Sequence, residues 1–110
     1  MKQEIIKNLE DKGFKRWTKG NMDRLYINSA QLGLICTYYK TGNISSATFG
    51  GDEISNSRAR SMKGSKTFID LNTDTVYSDD CLLAHAAADL TGFGYEAKDW
   101  DKTIKLNTAE

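Results

Sequence analysis

At 110 residues, 39% of them hydrophobic, the chain is long enough for one cored domain and too short for two. Its formal net charge is zero, and its two cysteines, Cys36 and Cys81, form no CxxC pair, which excludes a disulfide scaffold and points to reduced thiols. No stretch approaches the roughly 20 apolar residues of a membrane span, and the opening Met1-Lys2-Gln3-Glu4 is not that of a signal peptide, so the expectation is a soluble, cytoplasmic protein with no membrane partner. The balance of charge is uneven along the chain. Residues 1–66 carry 12 Lys or Arg against 6 Asp or Glu, and residues 67–110 carry 3 against 9. Such parts either present a basic binding face with an acidic flank or attract each other within the fold.

Residues 2–12 place Ile5, Ile6 and Leu9 on one stripe, which predicts an amphipathic helix; Gly13 ends it and Phe14 folds back onto it. Two Gly-Asn pairs then organise the chain, in Lys19-Gly20-Asn21-Met22 and Thr41-Gly42-Asn43-Ile44. Gly-Asn supplies the positive φ angles of tight hairpin turns, so strands are expected at 14–19 and 22–28 and at 34–40 and 44–49. In the first hairpin a two-residue turn sets Trp17 opposite Arg24 and Lys15 opposite Tyr26. Phe14, Leu25 and Ile27 then share a core face, and Lys15, Trp17, Lys19, Arg24 and Tyr26 the other, with Leu25 buried and Trp17 largely exposed. In the second, the same turn sets Cys36 opposite Phe49 and Tyr38 opposite Ala47, leaving Thr37, Tyr39, Ser46 and Thr48 on the opposite face.

Ser55-Asn56-Ser57 is rich in N-cap residues and leads into a short helix over Arg58–Lys63 that Gly64 ends. Thr67–Leu71 and Thr75–Tyr77 read as a third hairpin. Ser78 then caps a helix from Asp79 to Thr91, with Asp79 and Asp80 favoured by the helix dipole, Gly92 as its stop and Leu82, Leu83, Ala86, Ala87 and Leu90 as its buried stripe. Beyond Phe93 the pattern weakens: Trp100, Ile104 and Leu106 dock as a last strand or as an arm over 93–110, and the final residues are expected to be loose. The whole is a single α+β domain in the order α-β-β-β-β-α-β-β-α, an antiparallel sheet with helices on one face.

The basic, aromatic face of the first hairpin is the strongest candidate site. Aromatic rings stack on unpaired bases and neighbouring cations neutralise phosphates, so Lys15, Trp17, Lys19, Arg24 and Tyr26 suit single-stranded nucleic acid; a cation–π pair of Arg24 over Trp17 on a solvated sheet is the plainer reading. Arg58 and Arg60, behind a Ser-rich helix start, are secondary phosphate contacts. Cys81, His85 and Asp89 lie at i, i+4 and i+8 of the last helix, one ligand short of a structural zinc site, so no metal is expected. One histidine, no nucleophile motif near it and no G-x-x-x-x-G-K-[ST] loop leave catalysis and nucleotide hydrolysis without support, and no cofactor is implied.

Two resemblances add context. The runs Gly13-Phe14-Lys15-Arg16-Trp17-Thr18-Lys19-Gly20, Asp23-Arg24-Leu25-Tyr26-Ile27-Asn28 and Tyr39-Lys40-Thr41-Gly42-Asn43-Ile44 resemble a group of small uncharacterised proteins of gut Firmicutes and their mobile elements. That likeness implies an accessory protein of a phage, prophage or conjugative element, including one that binds a host or defence protein. The first 28 residues are also similar in layout to the RNA-cleaving toxins of the Hic family: a helix ending in Gly and an aromatic, a strand, a turn, and a strand ending in aromatics. Those toxins have Gly-Ser-His at the turn where this chain has Gly20-Asn21-Met22, so the catalytic histidine is missing and the resemblance implies an RNA-binding face alone. The expected function is a non-enzymatic binding module, for RNA on the first hairpin or, alternatively, for a protein partner.

Overall fold

The computed structural model describes residues 1–108, so the expectation about the chain end falls, for Ala109 and Glu110, outside the described residues. The elements run α1 (Gln3–Asp11), β1 (Lys15–Lys19), β2 (Met22–Tyr26), β3 (Leu34–Tyr38), β4 (Ile44–Phe49), β5 (Asp52–Glu53), α2 (Asn56–Lys63), β6 (Thr67–Asp70), β7 (Thr75–Ser78), α3 (Cys81–Thr91), β8 (Gly94–Tyr95) and β9 (Thr103–Asn107). This is an α+β fold in which every strand pair among the described residues is antiparallel. The strands form two sheets, one of six in the order β1-β2-β6-β7-β9-β8 and one of three in the order β3-β4-β5. The two Gly-Asn hairpins therefore end up in different sheets.

The first hairpin has the expected register, Trp17 opposite Arg24 and Lys15 opposite Tyr26, because Gly20 at φ +58° lets the chain reverse in two residues. At its start, Phe14 N–H donates to the Leu9 carbonyl (3.1 Å) past Gly13 at φ +113°, and Phe14 is buried against α1 as expected. The second hairpin differs by two residues. Tyr39 N–H donates to the Asn43 carbonyl (2.8 Å) and Gly42 N–H to the Tyr39 carbonyl (2.9 Å), so the turn spans Tyr39–Asn43. A bulge at Thr37/Tyr38 then sets Cys36 against Ala47, Leu34 against Phe49 and Tyr38 against Ile44, and Tyr38 is exposed.

Helices α1 and α3 cover one face of the large sheet. Leu25, Ile69, Val76 and Ile104 lie side by side across β2, β6, β7 and β9, each at most 1% exposed, and pack with Ile6, Leu9, Ala84, Ala87 and Ala88. The buried stripe of α3 keeps Leu83 and Ala87 of the predicted set but takes Ala84 and Ala88 in place of Leu82, Ala86 and Leu90: Leu82 is exposed and Ala86 and Leu90 are half-buried, while small alanines face the sheet. The N-cap of α3 is Asp80, whose carboxylate accepts from Leu82 and Leu83 N–H (2.9 and 3.3 Å); Ser78 is instead a fully buried strand residue, its Oγ 2.9 Å from Thr67 Oγ1. Helix α2 packs on the small sheet, where Ala59, Met62, Leu34, Ile44, Ala47 and Leu83 form a second cluster. Of the two readings for the residues beyond Phe93, a strand holds for β9, which sits inside the large sheet with Ile104 and Leu106 buried, whereas Trp100 is 68% exposed.

Candidate nucleic-acid interface

Side chains alternate across a strand, so the face of the large sheet opposite α1 and α3 is fixed by the same register that builds the core. Two parallel rows cross it. The first runs Lys15, Tyr26, Phe68, Tyr77, Thr103 over β1, β2, β6, β7 and β9; the second, two residues along each strand, runs Trp17, Arg24, Asp70, Thr75, Lys105. The five hairpin residues named from the sequence, Lys15, Trp17, Lys19, Arg24 and Tyr26, thus share this face.

Four aromatic rings form a continuous line on it. Trp17 and Tyr26 meet edge to face with centroids 6.1 Å apart, Tyr26 and Phe68 lie at 5.7 Å, and Phe68 and Tyr77 at 5.3 Å. All four are half-buried. For Trp17 this corrects the expectation of a largely exposed ring, and the physical reason is the Tyr26 ring against which it packs. The ring planes turn by 83°, 55° and 41° from one to the next, so the line offers separate ring faces and not one flat plate. Phe68 and Tyr77 went unnamed in the sequence. Alternation in Thr67-Phe68-Ile69-Asp70 and Thr75-Val76-Tyr77-Ser78 puts them on one face, but only the pairing of β2 with β6 brings that face level with the first hairpin.

Arg24 stacks on Phe68, its guanidinium 4.5 Å from the ring centroid, and not on Trp17. Asp70 Oδ2 stands 3.8 Å from Arg24 Nε, and that Nε is buried without a hydrogen-bond acceptor among the described residues. A buried donor left so costs about 1–3 kcal/mol. Lys15 and Lys19 are exposed and form no ion pair among the described residues. At the far end, the Tyr77 hydroxyl donates to Asp79 (2.9 Å), and Lys66 N–H donates to the same carboxylate (3.2 Å). The Lys66 N–H and then the Tyr77 hydroxyl hold the Asp79 pKa below its ordinary value, and the same carboxylate raises that of Tyr77. A cleft of about 320 Å³ opens beside Lys15 and Tyr26, with Asn28, Gln31, Ser65 and Lys66 on its walls. On the helix side of the same hairpin, Arg16 holds Asp23 through two bonds (3.0 and 2.8 Å), so this arginine is committed to the fold.

Arg58 and Arg60 lie elsewhere, on α2 over the small sheet. Arg58 reaches Asp80 Oδ2 at 3.3 Å, bracing α2 against the start of α3, and the Ser55 hydroxyl accepts Arg58 N–H (3.1 Å), filling a position that a phosphate would take. Neither arginine touches the aromatic line. Cys81, His85 and Asp89 are each engaged separately: Cys81 Sγ is 3.9 Å from Arg58, His85 Nε2 is 2.7 Å from the Lys98 carbonyl, and Asp89 accepts the Tyr95 hydroxyl. Among the described residues no group of three His, Cys, Asp or Glu is placed to hold a metal, and no helix is long and apolar enough to cross a membrane. The chain matches no protein-family model, no curated protein and no solved structure.

Proposed function

We propose that this chain is a small non-enzymatic module that binds single-stranded nucleic acid on the open face of its six-stranded sheet. The observation that carries the reading is the line Trp17–Tyr26–Phe68–Tyr77 on a face covered by neither α1 nor α3, with Lys15, Lys19 and Arg24 among and beside the rings. Four ring edges and faces on an antiparallel sheet offer stacking of about 1–3 kcal/mol per base, sequence-tolerant because every base has a π-face. RNA is preferred to DNA on the likeness of residues 1–28 to the Hic-type layout, without its catalytic histidine. The test is fluorescence anisotropy of labelled single- and double-stranded RNA and DNA with the parent chain, Trp17→Ala and Phe68→Ala. Binding of single strands that both variants weaken supports the proposal; no binding to any of the four removes it.

A second reading, a protein-binding accessory of a mobile element, is favoured by Ile35 at 63% and Tyr39 at 62% exposure, in the smaller sheet and its turn and not on the aromatic line. It would show as binding that survives high salt, since apolar contacts are not screened.

A further inference from the structure

The large sheet exposes β1 as one edge, and β1 carries Lys15, Arg16 and Lys19, the charges that keep sheet edges from pairing with other chains. The small sheet exposes β3, Leu34-Ile35-Cys36-Thr37-Tyr38, which has no charge at all. Leu34 N–H donates to the Ser29 carbonyl (3.0 Å), on the side away from β4. Antiparallel strands alternate the direction of their backbone groups residue by residue, so the Cys36 N–H and C=O point to that same outer side. A cleft of about 620 Å³ runs along this edge, between β3 and the 28–30 segment, with Leu34, Ile35, Cys36 and Tyr38 on one wall and Lys63 of α2 at its border. Among the described residues, Lys63 is the only charged one in the lining. It is held in place by the Tyr38 hydroxyl, 3.0 Å from Nζ, and lies 5.0 Å from the Tyr38 ring centroid.

From this placement we infer that the β3 edge is a binding site for an extended peptide bearing a carboxylate, which adds as a fourth strand to the small sheet. The Cys36 backbone groups supply sequence-independent hydrogen bonds, the cleft takes an apolar side chain, and the carboxylate meets Lys63. Charge decides between occupants. A second copy pairing through its own β3 would bring no acidic residue from that strand and leave Lys63 uncompensated, whereas an acidic peptide matches a lining that holds one cation and no carboxylate. This site is separate from the open face of the large sheet and does not depend on what binds there.

Selection from a random peptide display library on the immobilised full chain tests it, with Ile35→Lys and Lys63→Glu alongside and circular dichroism to check that both variants keep the parent's fold. The expected result is enrichment of peptides that combine β-branched or aromatic residues with Asp or Glu. Ile35→Lys, which places a charge in the apolar wall of the cleft, loses the enrichment of β-branched and aromatic residues, and Lys63→Glu shifts the charge preference from acidic to basic peptides. No enrichment over background overturns the inference, as does a selected set whose charge Lys63→Glu leaves unaltered. Sedimentation showing a dimer of the parent that Ile35→Lys abolishes would put a second copy on the edge and overturn it equally.

Discussion

The two faces of the six-stranded sheet are built by the same strands in the same register, yet they hold different chemistry. On the helix side the central row is aliphatic, Leu25, Ile69, Val76 and Ile104, closed over by α1 and α3. One residue along, on the open side, the row is Tyr26, Phe68 and Tyr77, half-buried against one another, Trp17 and the Arg24 guanidinium, with no helix over them. Aliphatic side chains need a partner layer to leave water, while rings with a polar tip or a cation above them can rest at a wet surface. The difference separates residues that hold the fold from residues available to a ligand, and substitutions on the two sides should divide accordingly.

The largest expected effect is on the helix side. Leu25→Ala should cost about 2–5 kcal/mol of stability by leaving a cavity in a site that is 0% exposed, read from urea unfolding. On the open side, Trp17→Ala or Phe68→Ala should weaken nucleic-acid binding by about 1–3 kcal/mol each, roughly 5- to 150-fold, with a smaller loss of stability than Leu25→Ala. Equal destabilisation on both sides would break the division. The buried face also holds a polar pair two residues along from the aliphatic row, Thr67 opposite Ser78. Ser78→Ala leaves the Thr67 hydroxyl and the Asp80 N–H (3.2 Å from Ser78 Oγ) without that partner and should cost about 1–3 kcal/mol by the same unfolding measurement.

Two pH effects sharpen the comparison at smaller scale. Asp79, at the rim of the open face, is held below its ordinary pKa, so its contribution to stability is complete above about pH 4 and is lost as pH falls through the lowered folded value. Acid unfolding of Asp79→Asn should therefore lie below the parent in stability at neutral pH and converge with it in acid. Tyr95 has the opposite sign. Its hydroxyl donates to Asp89, which together with burial pushes its pKa up to about 12, so the neutral form is favoured in the fold, fully so below about pH 10, and that contribution disappears as pH rises toward 12. Ultraviolet titration of the tyrosinate band should show a late-titrating group, in addition to the raised Tyr77, that Asp89→Asn returns toward the ordinary value.

What was legible in the sequence follows from how local each feature is. The first hairpin and its two faces could be written down because a two-residue Gly-Asn turn fixes register without reference to the rest of the chain. The second hairpin carries the same dipeptide, but its turn takes in Tyr39–Asn43 and a bulge follows, a choice made by packing Leu34, Cys36 and Ala47 against α2. The face of α3 was only partly placed: Leu83 and Ala87 are buried as their spacing implies, but Ala84 and Ala88 take the places read for Leu82, Ala86 and Leu90, a choice made by packing on the sheet. At the candidate interface, the five hairpin residues fall together as their alternation implies. Arg58 and Arg60 do not join them, since α2 belongs to the other sheet, and Phe68 and Tyr77 enter through a β2–β6 pairing some 40 residues apart in sequence, which no local pattern encodes.

The most direct measurement is the emission of Trp17 itself. In a Trp100→Phe variant, Trp17 is the sole tryptophan, and titration with a single-stranded RNA should quench it saturably, with the binding weakened between about 50 and 200 mM salt. Trp17 emission that stays unchanged while the RNA is shown to be bound, or quenching that persists only when Trp100 is the reporter, would contradict a nucleic-acid interface on the open face.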